Sequence, residues 1–424
     1  MCNRCGTCVG LSGGRIVFDD KEGRYLPVIR SEPDAETVNN ILLSCSGNAF
    51  DFPANRSQIF TPETPFHQYI GTYRSISIGY CTDPHIRQQS ASGGILSAAL
   101  IYLLRNKEID GAVVLGMSNE KPWLTQPFIA VSEDEILQAA QSKYIISSVN
   151  EILPLIAAFP GRLAYVGLPG QVQSIRALQR INHPWVRNIS YIFGPFFGNT
   201  LHFSSIKSFL RSYGEKDYTQ IEKLWFRYGE WPGKMRIELR GGRALQLKKF
   251  YANYLIPFHI VKNSLLCTDF TNEFTDLSGG DAWAPQYEER GKGFSMVIAR
   301  SLAGEKLLKS MLQDGLIELT PSSAEEAITM HSHGYDLKKR GAFIRMQFMK
   351  AAGMATPQYG YHIKGFGLAR YAMEIVIDAV FLLSGTAVAR WIVERFSPSL
   401  IGKLFEHSRN IWKKSTKNIK RKSL

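Results

Sequence analysis

The chain has 424 residues, 45% hydrophobic and 21% charged, ordinary for a globular protein and long enough for two or three domains with buried cores. Six cysteines, three of them in the first eight residues, exclude a disulfide framework and point to a reducing compartment where thiolates stay free to hold metal. Much of the net charge of +13 sits near the C-terminus, and no helix-turn-helix, zinc-finger or aromatic-rich pattern accompanies it, so no nucleic-acid partner is expected.

Cys2, Cys5 and Cys8 open the chain as C-x2-C-x2-C. That spacing folds a short loop round one 4Fe–4S cluster, with three thiolates reaching three irons. A zinc site more often places its second pair a dozen or more residues away; zinc and an unmetallated thiol cluster stay open as alternatives. Cys45 is the candidate fourth ligand. In the ferredoxin run a further cysteine follows the third by three residues and serves another cluster; here that position is Ser12, so one cluster is expected and a second is lost. No apolar run follows a basic start, so no leader is expected and the chain reads as cytoplasmic.

The first fifty residues are turn-rich, and Pro53 to Pro65 reads as a linker. After about residue 75 helices and strands alternate. Ser92-Gly93-Gly94 precedes a helix over Ile95–Leu104, and Gly111–Leu115 is a strand. Ser132 and Glu135 form a capping box for a helix through Ile136 to Gln141. Arg162–Val166 is a strand, Gly167–Gly170 turns into a helix over Gln171–Ile181, and Ile189–Phe193 is a further strand. The fold class is therefore α/β (α+β mixed), a mixed sheet covered by helices. Met235–Leu247 alternates about Gly241-Gly242 as a hairpin does, and Ser323 starts a broken helical region reaching about Ala352.

The C-terminal part reads as a helical extension. Ala372–Trp391 is its most apolar stretch, but the uncharged core, Ala379–Ala389, is too short to span a bilayer, so a buried or interfacial helix is expected. Eight basic residues between Lys403 and Lys422, opposed only by Glu406, read as a solvated, disordered end. Attraction to an anionic membrane face or an acidic partner is the alternative, and with the apolar helix it makes peripheral contact with the inner membrane face a hypothesis.

Two glycine-bearing turns precede helices, Ser92-Gly93-Gly94 and Gly167-Leu168-Pro169-Gly170-Gln171. Each offers unpaired N–H groups to a phosphate, or is a plain connection. Neither fits G-x-G-x-x-G or the P-loop. Ser142-Lys143-Tyr144 could hold a phosphate or a flavin ring, or be an exposed helix end. Cys267 to Trp283 crowds acidic residues, two glycines and a tryptophan, a density typical of a site, although Asp276 and Asp281 also suit caps or turns.

These motifs, with Gly293-Phe294-Ser295 and Val297-Ile298-Ala299-Arg300, are similar to those of the coenzyme F420-reducing hydrogenase and F420-linked formate dehydrogenase beta subunits. The relatives of that family include 7-hydroxymethyl chlorophyll a reductase. The likeness runs from Cys2 to about Met311. It implies a flavin-dependent oxidoreductase, with FAD in the α/β region and one 4Fe–4S cluster exchanging single electrons with it. A ferredoxin or electron-transfer subunit would be the donor, and a small organic molecule or deazaflavin the substrate. Carried over by position, Cys2, Cys5, Cys8 and Cys45 would bind metal. Ser92, Gly93, Gly94, Ser142, Lys143 and Tyr144 would meet the flavin, with Gly167, Gln171 and Asp281 beside them; Lys143 and Tyr144 are candidates for donating a proton.

The implied division is an iron–sulfur segment at 1–52, α/β domains at 70–155 and 156–320, and the extension at 321–424. The chain also departs from the family. Pro169-Gly170, Phe196-Phe197 and Ser264 stand where further cysteines are usual, and Ser46 where proline is. Loss at Ser12 and Ser264 together reads as removal of one whole cluster, leaving Cys267 a buried thiol. A degenerate, non-catalytic electron-transfer or assembly subunit is the alternative to a working enzyme.

Overall fold

The computed structural model describes residues 1–20, 25–289, 291–421 and 424. Its centre is an eight-stranded mixed sheet in the spatial order Ile317–Pro321, Ser75–Cys81, Ser295–Ala299, Leu277–Asp281, Ile189–Pro195, Leu163–Val166, Gly111–Met117, Thr125–Ala130. The four strands from Leu277–Asp281 to Gly111–Met117 run parallel; the pairings outside them are antiparallel. Strands from both sides of residue 155 thus enter one sheet.

The pleat explains how these apolar runs are used. Successive side chains alternate between faces. Val113, Tyr165 and Ile192 join the core under helix Pro169–Arg180, while Ala112, Ala164 and Phe193 join the core under helices Ile95–Arg105 and Leu302–Gln313. Both faces are covered, which is why the parallel strands read as nearly unbroken hydrophobic runs.

Between Pro195 and Leu277 the chain builds a second, three-stranded antiparallel sheet, Ile221–Tyr228, Lys234–Leu239 and Ala244–Lys248. Its hairpin turns at Gly241 and Gly242, both in the left-handed region (φ 88° and 85°), where glycine carries no Cβ penalty. This sheet has its own core, which includes Ile206, Phe226, Ile237 and Val393 of the extension.

Several expectations are corrected. The supposed linker contains helix Phe52–Ile59, capped by Asp51, whose side chain accepts from the Ala54 N–H; Pro53 sits in the first turn, where its missing N–H costs nothing. The first fifty residues hold helix Ala35–Ser44 and a two-stranded ribbon, Ile16–Asp19 with Leu26–Ile29. The basic end is not disordered: Pro398–Ser415 and Lys417–Arg421 are helices, and Lys420 is buried with its ammonium 3.4 Å from Asp336. Lys422 lies outside the described residues. The apolar stretch forms two helices, Leu368–Ser384 and Ala387–Val393, bent by 75° and with much of their apolar surface exposed rather than buried. No single helix among the described residues is long and apolar enough to cross a membrane.

Buried ion pairs attach the extension. Asp336 opens a π-helical turn, Asp336–Gly341, and accepts from Arg370 at 2.9 and 3.1 Å. Glu374 is 2.5 Å from Arg370 and 2.6 Å from Arg345, and both carboxylates are fully buried.

Candidate functional site

Four cysteines converge at one end of the chain. Cys2 and Cys5 lie in a loop whose left-handed turns at Arg4 (φ 61°) and Gly6 (φ 94°) curl it back on itself. Gly6 is irreplaceable on space as well, since a Cβ there would stand 2.6 Å from the Glu151 backbone nitrogen. Cys8 lies in the helix Thr7–Leu11, and Cys45 ends the helix Ala35–Ser44. Two contacts draw the segments together: the N-terminal ammonium donates to Gly47 O at 2.7 Å, and Asn3 Nδ2 donates to Ser46 Oγ at 2.8 Å. Ser46, in place of the usual proline, also donates to Gly170 O at 2.5 Å and accepts from Ser174 Oγ.

Every pair among the four thiols is close enough for ionised sulfurs to repel. Burial, followed by that repulsion, raises the Cys2 and Cys45 thiols and pushes Cys8 up to about 12. Backbone N–H groups oppose this, from Arg4 to Cys2 at 3.4 Å and from Val9, Gly47 and Asn48 to Cys8 and Cys45. Among the described residues no three His, Cys, Asp or Glu side chains close in tightly enough for one metal ion.

A small cavity of about 30 Å³ adjoins Cys5 and Asn3 and is also lined by Gly170, Phe197, Ser264 and Cys267. The positions where further cysteines would be usual therefore meet in one place. The buried Lys338 ammonium is next to them, donating to Ser264 O at 2.6 Å and lying 4.2 Å from the Phe197 ring centre. Ser12 does not line this cavity. Its hydroxyl donates to Val9 O and accepts from the Ile16 N–H, closing the turn after the first helix, so it does not share a site with Ser264.

A larger cavity, about 550 Å³, lies beside the three-stranded sheet, on the other side of the segment 197–201: Phe197 and Thr200 face the small cavity, Gly198, Asn199 and Leu201 the large one. Tyr144, Phe226, Phe250 and Trp283 give it aromatic walls, while Lys249, Arg409 and Lys413 give it cations. Arg409 Nε is buried with no hydrogen-bond partner among the described residues. The last two cations come from helix Pro398–Ser415, so the extension forms part of the wall.

Arg227 lies behind Tyr144, which lines this cavity. It donates to both oxygens of Asp281 at 3.0 and 3.1 Å, to the Tyr144 hydroxyl at 3.2 Å and to Ala91 O at 2.5 Å. Trp231 Nε1 donates to Asp281 at 2.8 Å. Burial raises the Tyr144 phenol and the Asp281 carboxyl, but Lys249 and Arg227 outweigh it, and both titrate below their ordinary values.

Ser92 and Gly93 join the same assembly through Ser295, whose hydroxyl lies 2.7 Å from Ser92 Oγ and accepts from the Gly93 N–H at 2.9 Å. Gly94 (φ 82°) starts helix Ile95–Arg105. Tyr144 and Asp281 are thus bonded to Arg227, while Ser92 and Gly93 follow Ala91, whose carbonyl Arg227 also meets, and are held by Ser295 opposite Asp281. Lys143 is occupied elsewhere: it donates to the carbonyls of Ala139, Ala140 and Gln141, and burial lowers it to about 7. Ser142 is half-buried beside it. Gln171 lies on the thiol side, capping its helix through the Leu168 N–H and donating to Ser147 O. Gly167 O accepts from Asn272 at 2.8 Å. Arg227 and Lys249 are not expected from the sequence, and Arg409 and Lys413 read there only as part of a solvated basic end; long-range contacts reveal all four.

Two sequence profiles of one family match the chain. The N-terminal profile of the coenzyme F420 hydrogenase/dehydrogenase beta subunit matches residues 76–154, and the C-terminal profile of the same beta subunit matches residues 161–325. The coenzyme F420-dependent sulfite reductase of Methanocaldococcus jannaschii is 26% identical over 336 residues, 74% of this chain but 47% of that protein. The chain therefore spans about half the length of that relative. The coenzyme F420 hydrogenase subunit beta of Methanothermobacter thermautotrophicus is 26% identical over 296 residues, 68% of this chain and 99% of that protein. A chain of the F420-reducing NiFe hydrogenase complex from Methanosarcina barkeri has a similar fold, with a TM-score of 0.54 and 20% identity over 69% of this chain and 98% of that one. The two profiles together match more than half of the chain, which belongs, as a divergent member, to the coenzyme F420 hydrogenase/dehydrogenase beta-subunit family.

Proposed function

We propose that this protein is an oxidoreductase using one 4Fe–4S cluster and FAD to pass electrons between a one-electron donor and an organic substrate or deazaflavin. A ferredoxin or partner subunit would be the donor. The observation that carries the reading is the mutual proximity of Cys2, Cys5, Cys8 and Cys45, brought from two segments by the Met1–Gly47 and Asn3–Ser46 contacts. The thiols of Cys2, Cys8 and Cys45, raised by burial and crowding, bind protons in the absence of a cation and release them to one. The four sulfurs and the N–H groups aimed at them suit a cluster.

The larger cavity suits a flavin in size and lining. Its aromatic walls match a ring system, and Lys249, Arg409 and Lys413 match phosphates. FAD, when bound, would accept hydride and exchange single electrons. Arg227, held by Asp281, would fix the orientation of Tyr144 on the cavity wall, and Tyr144, with its lowered pKa, is the better placed of the two candidate proton donors, since Lys143 serves a helix end. The residues 1–52 would then be the cluster-bearing segment and the sheet with its insertion the flavin-bearing part.

Iron, sulfide and flavin measured on one anaerobic preparation test the reading; absence of both iron and flavin would end it. A second reading, a non-catalytic electron-transfer or assembly subunit, is favoured by the filled small cavity, where Gly170, Phe197 and Ser264 replace sulfur and Lys338 stands by. Reduced donor mixed with a chemical acceptor separates the two, because only the enzyme turns over.

A further inference from the structure

We infer that the helical extension docks on an anionic lipid face, through the outward side of helices Leu368–Ser384, Ala387–Val393 and Pro398–Ser415. Of the 26 large hydrophobic side chains exposed among the described residues, 13 lie between Leu368 and Ile411. A tenth of the chain therefore carries half of them, which is a patch rather than ordinary scatter.

Helix Leu368–Ser384 is inside out. Its charged stripe, Arg370, Glu374 and Asp378, turns inward to ion pairs with Asp336 and Arg345. Its apolar stripe, Ile375, Val376, Val380 and Leu383, with Leu382 beside it, faces outward at 48–70% exposure. The buried pairs fix this orientation, because rolling the helix over would break the Arg370–Asp336, Glu374–Arg345 and Asp378–Arg345 pairs and turn apolar side chains into their place. The 75° bend then carries the apolar surface on to Val388, Trp391 and Ile392, and the last helix adds Leu400, Leu404 and Ile411.

The charges select the occupant. Between residues 368 and 420 the exposed charged side chains are Arg395, Lys403, Lys414 and Lys417, all positive. The four acids face elsewhere: Glu374 and Asp378 into the core pairs, Glu394 to Arg211 and Glu406 to the large cavity. Two copies meeting on this face would oppose like charges, whereas anionic headgroups complement them. Arg395 lies 3.1 Å from the centre of the Trp391 ring, a pairing of aromatic and cation suited to headgroup depth. The bend makes the pair an interfacial element lying in the membrane plane.

Co-sedimentation of the full chain with vesicles tests this, using equal parts phosphatidylglycerol and phosphatidylcholine against phosphatidylcholine alone. Binding is expected on the anionic vesicles and is expected to weaken with salt. Leu382→Glu with Leu383→Glu should reduce it roughly a hundredfold or more. Lys403→Gln and Lys414→Gln should each reduce it roughly fivefold. All four positions are exposed, so the melting temperature should hold. Absence of binding to the anionic vesicles, or unchanged binding by the double glutamate variant, overturns the proposal. So does a concentration-dependent dimer that the glutamates abolish, which would make a second copy the occupant.

Discussion

Arg227 and Asp281 meet through two parallel N–H···O bonds of 3.0 and 3.1 Å, and the pair joins the three-stranded sheet to the eight-stranded one. Both side chains are largely buried, so their charges depend on each other. Asp281→Ala is expected to cost about 3–5 kcal/mol, because it leaves the guanidinium buried without its carboxylate. Arg227→Met with Asp281→Ala should cost less than the sum of the single changes. Urea unfolding measures both; a single-variant loss within about 1 kcal/mol would show the pair to be dispensable.

The thiol cluster makes a selective prediction. Serine at Cys2, Cys5, Cys8 or Cys45 should each strip most of the iron and sulfide from anaerobically purified protein. Serine at Cys81 or Cys267 should not, since Cys81 lies in a sheet strand and Cys267 donates to Asp269 O beside the small cavity. Iron retained equally by all six variants would remove the basis for the proposed cluster.

Two buried histidines set an acid limit. Burial, helped by the charges of Arg390, His202 and Arg211, lowers His259 to about 3, and burial lowers His331 to about 4. Each folded value lies below the ordinary 6.5, so the unfolded chain binds the extra proton first and stability falls as pH drops from about 6.5 towards those values. The loss for His259 is on the order of 3 kcal/mol by pH 4. Glu273, raised to about 7 by burial, works the other way between about 7 and 4.5. The comparison is therefore the difference between parent and His259→Asn across that range, which should flatten the acid slope in thermal melts. An identical slope in both proteins would contradict the assignment.

Local chemistry was readable wherever the signal was local. Ser132 and Glu135 do form a capping box, Gly241-Gly242 does turn a hairpin, and the strands at 111, 163 and 189 lie side by side in one sheet. What the sequence hid depends on distant partners. Arg227 finds Asp281 54 positions away, and its strand carries no motif. The prolines after Asp51 suggested a linker because a first-turn proline and a breaking proline look alike without the cap geometry. The basic end looked solvated because Lys420 neutralises Asp336, 84 positions earlier, and Pro398–Ser415 packs on helix Lys249–Ala252. Charge density alone does not reveal such partners.

That last packing gives a test that separates the two sites. Gly402 lets helix Pro398–Ser415 approach Tyr251 so closely that a Cβ would stand 2.5 Å from the tyrosine Cβ. The same helix carries Arg409 and Lys413 to the cavity wall, one turn or more beyond the contact. Gly402→Val should lift the helix and carry both cations away from any phosphate between them and Lys249. Flavin affinity is then expected to fall roughly tenfold or more, in line with one or two lost charge-assisted hydrogen bonds. Iron and sulfide content should be unchanged, because the thiols are held by the Met1–Gly47 and Asn3–Ser46 contacts, which this helix does not touch. Arg409→Gln, which leaves the backbone packing alone, should reproduce part of the affinity loss in flavin titration. If neither variant changes flavin binding, the extension does not contribute to that cavity; if both lose iron as well, the two sites are not independent.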